Sequence, residues 1–103
     1  MAAGAVLLVE IHMNSSASLK DKRALVRHLL ATARQRHNVA SAEVGGHDTW
    51  QRAELGFAAV GRDVTQVTNV LDAVERFVWS HPELQVITTT RHWTEIDASS
   101  SGP

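Results

Sequence analysis

Basic side chains are concentrated in one short stretch of the chain, from Lys20 to Arg36. Six of the ten Lys and Arg residues fall there, and Asp21 is the only acid among them. At 100° per residue, four of the cations share one helical stripe: Lys20, Arg23, Arg27 and Arg34. Such spacing suits a phosphate backbone, where counterion release supplies affinity. The stretch is a candidate nucleic-acid-binding surface, and a solvated helix face is the structural alternative.

A second candidate functional surface lies around a predicted turn. His47, Asp48, Trp50 and Arg52 offer a general base, a carboxylate, an aromatic ring and a cation within six residues. Lys22 projects toward the core side of the first helical turn, so its stem can pack while its ammonium reaches the sheet edge. Functional residues favour such loops. The structural alternative is that Asp48 caps the turn and Trp50 covers the end of the core.

Charged side chains also alternate along two predicted strands. Glu10 and His12 lie on one strand face, and Arg52 and Glu54 lie on the same face of another. Opposite charges across adjacent strands stabilise a sheet, so a structural ion-pair ladder is the main interpretation. A His–carboxylate metal site is the alternative. Zinc usually needs three protein ligands and only one histidine is clearly on this face, so we expect no metal and no cofactor.

The composition limits the class of protein. The 103 residues suit one domain, 44% of them are hydrophobic, and the formal net charge is −1. Net charge therefore gives no argument for a nucleic-acid or membrane partner; only its distribution does. The chain contains no cysteine, which excludes disulfides and thiolate metal sites.

The hydrophobic pattern predicts four strands and two helices. Period-two alternation and turn residues indicate strands, and apolar stripes preceded by Ser18 and Asp63 as N-caps indicate helices. The predicted elements are a strand over Ala5–Met13, a helix over Leu19–Arg36, strands over His37–Val44 and Gln51–Val60, a helix from Asp63 to Ser80, and a strand over Leu84–Trp93.

This order predicts an α+β fold, the ferredoxin-like β-α-β-β-α-β sandwich. Right-handed crossovers place the first and third strands in the centre of a four-stranded antiparallel sheet, with both helices on one face. We expect a single domain over residues 1–97 and a disordered tail over residues 98–103, which are small and polar.

Two motifs resemble a known family. They are Ser18-Leu-Lys-Asp-Lys-Arg23, and Ala42-Glu-Val44 followed by His47-Asp-Thr-Trp-Gln-Arg-Ala-Glu-Leu-Gly56. Over nearly the whole chain, from about Ala5 to Trp93, the sequence resembles the YlxP-like family of small bacterial proteins of unknown function. The resemblance implies a ferredoxin-like fold, a bacterial cytoplasmic protein, and genes close to those of translation initiation and ribosome maturation. The family has no established catalytic residues, so the resemblance implies none here.

Three functional hypotheses follow. The first is a non-enzymatic accessory module that binds RNA or a ribonucleoprotein, such as the ribosome, through Lys20, Arg23, Arg27 and Arg34. The second is a homodimeric interaction module, because apolar Val6 and Leu8 lie on the open sheet face. The third is an enzyme acting on a small anionic metabolite near Lys22, His47 and Asp48, for which no nucleophile has an adjacent base in the sequence. No run of 18 apolar residues is present, so we expect a cytoplasmic protein without a membrane partner.

Overall fold

In the computed structural model, which describes residues 2–14, 18–46 and 49–96, four strands and two helices follow one another in the predicted order. The elements are β1 (Ala2–Met13), α1 (Leu19–His37), β2 (Ala40–Gly45), β3 (Arg52–Gly61), α2 (Val64–Trp79) and β4 (Leu84–Ile96). The predicted tail over residues 98–103 lies outside the described residues.

The strands form one antiparallel sheet in the order β2-β3-β1-β4. The predicted ferredoxin-like arrangement is therefore confirmed, with β1 and β3 in the centre. Within the register, Leu7 lies opposite Phe57 and Glu10 lies opposite Glu54. The two edge strands differ in length, because β2 has 6 residues and β4 has 13.

Local capping fixes where both helices begin. The Ser18 side chain accepts a hydrogen bond from the Asp21 N–H at 3.2 Å, and Asp63 accepts one from the Gln66 N–H at 2.8 Å. The Gln66 Oε1 atom in turn accepts from the Arg62 N–H at 2.9 Å. These bonds satisfy backbone donors that have no intrahelical partner, so both predicted N-caps are confirmed.

One face of the sheet and the apolar stripes of the two helices enclose the core. Alternate residues of the central strands are buried, as period-two geometry requires, and both helices contribute residues at three- and four-residue spacing. The largest fully buried apolar side chains are Phe57, Leu7, Ile11, Met13, Leu29, Leu55 and Leu71. The other sheet face, which carries Glu10 and Glu54, is open.

Several predicted boundaries are wrong at the ends of elements. The second strand begins at Ala40 and not at His37, because α1 continues to His37 and ends at Asn38 in the left-handed conformation (φ 53°). At the other end of the sheet, β1 begins at Ala2 and β4 continues to Ile96, because these residues pair with each other. Such an extension depends on cross-strand pairing, which neither segment specifies alone.

A register shift in β4 explains why its faces could not be assigned from the sequence. The partner of Glu10 is Thr88 and the partner of Ile11 is Val86, so Ile87 is an extra residue. A bulge of this kind changes the alternation of faces along a strand. Among the described residues, no helix combines the length and apolar character needed to cross a bilayer.

Candidate nucleic-acid interface

The four cations of α1 that the sequence predicts to share one helical stripe are all exposed. Their numbers differ by three, four and seven, which brings them to one side of the helix. We call this set the basic stripe: Lys20, Arg23, Arg27 and Arg34. Buried Val26, Leu29 and Ala33 occupy the neighbouring side of the helix, so packing on the sheet leaves the stripe outside.

A contact to β2 shows which side of the fold carries the basic stripe. The Arg34 Nη1 atom donates a hydrogen bond to Ser41 Oγ at 2.9 Å, and that hydroxyl donates to the Leu30 carbonyl at 2.9 Å. Ser41 belongs to the edge strand β2. The stripe therefore borders the short edge of the sheet.

Within the described part of the chain, the ion pairs are formed by cations outside the basic stripe. Lys22, Arg52 and Arg91 each pair with an acid. None of the basic-stripe residues forms an ion pair with a described residue. Their charges are therefore not offset by described acids at contact distance, which is the condition under which a cationic surface retains an attraction for anions.

Lys22 has a different environment from the basic stripe. Its side chain is 1% exposed, and its Nζ atom lies 2.9 Å from Glu43 Oε2 and donates a hydrogen bond to the Gly46 carbonyl. Lys22 is four residues before Val26 and seven before Leu29, so its side chain joins the buried stripe. The ammonium thus links α1 to β2 and to the start of the β2–β3 connection, and it is not accessible to a solute.

The Gly46 carbonyl also accepts a hydrogen bond from the Thr49 N–H at 3.1 Å. Gly46 has φ +76°, and a Cβ atom built on it lies 3.0 Å from the Arg52 carbonyl oxygen. A residue with a side chain would meet both backbone strain and a backbone contact. Lys22 therefore contacts a carbonyl group whose backbone conformation favours glycine.

On the open side of the same connection, charged groups surround a cavity of about 320 Å³. An ion pair joins Arg52 Nη2 to Glu10 Oε1, and Glu54 and Thr49 also line the cavity. Trp50 is exposed. Lys22 lies on the helix side of the sheet and Arg52 on the open side, so the two do not meet. The predicted residues His47 and Asp48 lie outside the described residues.

The predicted ion pairing on the open face occurs between Arg52 and Glu10, while Glu54 lies directly opposite Glu10. His12 Nδ1 is 3.0 Å from Asn14 Oδ1. Within residues 2–14, 18–46 and 49–96, no group of three His, Asp or Glu side chains is close enough to hold a metal ion.

Two comparisons with known proteins bear on the identity of the chain. Residues 5–91 match a family described as "Protein of unknown function (DUF503)". The chain belongs to the DUF503 family. It is also 38% identical over 76 residues to the "Uncharacterized protein YlxP" of Bacillus subtilis (strain 168), an alignment that covers 74% of this chain and 83% of that protein. The YlxP-like resemblance of the two sequence motifs is thereby confirmed.

The DUF503 match covers both the basic stripe and the surroundings of Lys22. It includes all of α1 and the β2–β3 connection, and it ends within β4. Neither the DUF503 description nor the name of the Bacillus subtilis relative states an activity.

The DUF503 fold also contains a cluster of rings that the sequence does not predict. Rings from α1 and from the end of α2 form a row, with centroid separations of 6.0 Å for His28–His81, 4.8 Å for Phe77–His81 and 5.9 Å for His37–Phe77. His81 is also fixed by a 2.9 Å hydrogen bond from Nδ1 to the Phe77 carbonyl. Only the i, i+4 spacing of Phe77 and His81 was visible in the sequence, because the other contacts join two helices.

Proposed function

We propose that this DUF503 chain is a non-enzymatic accessory module that binds RNA, or an RNA–protein particle, through the basic stripe of α1. One observation carries the proposal: the four exposed cations are aligned, and none of them pairs with a described acid. A surface with these properties attracts a polyanion through counterion release.

The dimensions of the stripe suit a polyanion better than a small solute. From Lys20 to Arg34 there are fourteen steps, which at about 1.5 Å each give about 21 Å. That length can meet several phosphates in succession. Only one acid, Asp21, lies on α1, so a chain of net charge −1 still presents one positive side.

The proposal is tested by purifying the tagged chain from a bacterial lysate with and without ribonuclease. Wild type is expected to carry RNA that ribonuclease removes, and Arg23→Glu with Arg27→Glu is expected to carry little. The matched control is Arg62→Glu with Arg76→Glu, which changes the net charge equally at exposed positions off the stripe. Equal RNA recovery from all three folded proteins would contradict the proposal.

A second candidate function, a homodimeric interaction module, is favoured by the apolar part of the open sheet face. Val6, Val44 and Val60 are 38%, 49% and 79% exposed, and a shallow groove of about 220 Å³ runs between Val6, Val44 and Ala58. Exposed apolar patches often mark interaction sites. If this face pairs with itself, Val44→Lys should reduce the mass measured by sedimentation; a monomeric wild type at high micromolar concentration would contradict this candidate.

A further inference from the structure

The two edges of the sheet are protected to different degrees. The edge strand β2 is short and is bordered by Arg34. The edge strand β4 is 13 residues long, and its β-branched run from Val86 to Thr90 contains no proline and no lysine. Short strands, lysine and proline are the usual protection of a sheet edge against pairing with another chain. The bulge at Ile87 is a further protective device, so the part of β4 that lacks this protection is the regular run after it, from Thr88 to Trp93.

The side chain of Arg91, the one Lys or Arg residue of β4, points toward α2 of the same chain. Arg91 Nη2 lies 2.8 Å from Asp72 Oδ1 and 3.5 Å from Glu75 Oε1, both on α2. Its charge is therefore paired with carboxylates of α2 and does not protect the outer edge of the strand against pairing. Within residues 2–14, 18–46 and 49–96, β4 has a neighbouring strand only on its β1 side, which leaves its other backbone edge for a further strand.

Two hydrogen bonds establish which backbone groups of β4 face outward. The Met13 N–H donates to the Gln51 carbonyl on the β3 side, and the Asn14 N–H donates to the Glu83 carbonyl on the β4 side. Because backbone groups alternate along a strand, even-numbered residues of β1 bond toward β4. Their partners include Thr90, opposite Leu8.

The backbone N–H and C=O groups of adjacent β4 residues point in opposite directions, toward β1 or away from it. Thr90 and His92 lie opposite even-numbered residues of β1, so their N–H and C=O groups point inward. The N–H and C=O groups of Thr89, Arg91 and Trp93 must then point away from β1. These outward groups form a row that can bond to a further strand.

We propose that two copies of this chain pair β4 with β4 in antiparallel orientation, about a twofold axis at Thr90, to give one continuous eight-stranded sheet. Thr89 then exchanges backbone hydrogen bonds with Arg91 of the second copy, and Thr90 lies opposite Thr90. A twofold interface uses the same residues from both chains, so each contact occurs twice.

The register follows from the side chains of β4. Hydrogen bonding requires outward-facing residues to meet each other, so the axis passes through a residue and not between two. An axis at Arg91 would instead set apolar Ile87 opposite the charged Glu95. The axis at Thr90 avoids this and sets Ile87, 41% exposed, opposite Trp93, 42% exposed.

The same register argues for a second copy as the occupant. Ile87 and Trp93, the exposed large apolar residues among the described side chains of β4, find a partner within an identical strand. The β-branched threonines meet at the centre, where cross-strand pairs are favourable. No other sequence is needed to complete the pairing. A foreign peptide on this edge is therefore an outcome for the test to distinguish.

Sedimentation equilibrium of the full chain, with two opposite charges placed at Thr90, tests the pairing. Thr90 is exposed, so Thr90→Lys and Thr90→Glu should fold. Wild type is expected to show twice the monomer mass at high micromolar concentration. Each variant alone should dimerise about fivefold more weakly, since like charges then meet at the axis, and an equimolar mixture should recover dimer. Ala42→Lys, on exposed β2, is the control and should dimerise as wild type does.

A proline substitution distinguishes a dimer that pairs through the β4 edge from one that pairs through the open face. Thr89→Pro removes an outward N–H and leaves the β1 ladder intact, so by symmetry two bonds are lost and dimer affinity should fall about tenfold or more. A circular-dichroism melt confirms folding. A monomeric wild type, which leaves only a foreign peptide for this edge, overturns the proposal. So does a dimer that survives Thr89→Pro, or one that Val44→Lys abolishes while the Thr90 variants do not.

Discussion

Lys20 and Lys22 are two residues apart on α1 and have opposite environments. Lys20 is exposed and belongs to the basic stripe, whereas Lys22 is 1% exposed and contacts Glu43 and the Gly46 carbonyl. Two residues correspond to about 200° around a helix, which is enough to move a side chain from solvent to the core side. Helical phase thus decides whether a cation supports the fold or is available to a partner.

The two lysines also differ in what they can contribute to the protein. A buried ammonium is held by oriented oxygen atoms, so its removal affects the stability of the folded state. An exposed cation is surrounded by water and contributes little to stability, but it attracts an anion over several ångströms. Substitutions on the two sides of α1 should therefore separate stability from binding.

Lys22→Met is expected to have the largest effect on stability. The variant keeps an apolar stem and removes the donor that Glu43 and the Gly46 carbonyl share, so the free energy of unfolding should fall by about 3 kcal/mol. This is the lower end of the range for a buried pair, because Glu43 retains some contact with water. Urea unfolding measures the change.

Lys20→Met is the matched control for Lys22→Met. The substitution is chemically identical but lies on an exposed side chain, so it should change the free energy of unfolding by less than about 0.5 kcal/mol. Equal losses in the two variants would show that the burial of Lys22 does not distinguish it from Lys20.

Gly46→Ala should have the next largest effect. At φ +76°, with a Cβ atom 3.0 Å from the Arg52 carbonyl oxygen, the variant must strain or move the carbonyl that Lys22 contacts. We expect a loss of about 1 to 3 kcal/mol in urea unfolding. Because the two changes act on one contact, their losses should not add in the double variant with Lys22→Met; full additivity would argue that the contact is energetically negligible.

Among the three substitutions that remove or disturb a contact, Arg34→Ala should have the smallest effect on stability. Its hydrogen bond to Ser41 Oγ lies at the surface, and that hydroxyl keeps its bond to the Leu30 carbonyl. The free energy of unfolding should fall by about 0.5 kcal/mol or less in the same urea experiment. A loss as large as that of Lys22→Met would place Arg34 among the residues that support the fold.

The sequence predicts much of the fold because its local signals agree. Ser18 and Asp63 satisfy backbone donors at the helix starts, and the apolar stripes leave only one side of each helix to pack. Even the inward direction of Lys22 follows from its phase relative to Val26 and Leu29. These features depend on residues that are near each other in the chain.

Features that depend on contacts between distant segments were not predictable. The sequence does not identify Glu43 and the Gly46 carbonyl as the partners of Lys22, because α1 and the β2–β3 connection must first be brought together. The bulge at Ile87 likewise exists only in relation to the register of β1. The basic stripe was predictable in position, since helical periodicity alone defines it.

The salt dependence of RNA binding tests most directly the claim that the exposed side of α1 serves binding. Titrating a labelled RNA hairpin at several salt concentrations should give, for wild type, a plot of log affinity against log salt with a slope of about −3 to −4, one unit for each of about four phosphate contacts. Arg23→Glu with Arg27→Glu should bind more weakly and reduce the slope by about two units, with an unchanged urea midpoint. The control with Arg62→Glu and Arg76→Glu should keep the wild-type slope. If the folded stripe variant binds with the wild-type slope, the basic stripe is only a solvated surface and the account is contradicted.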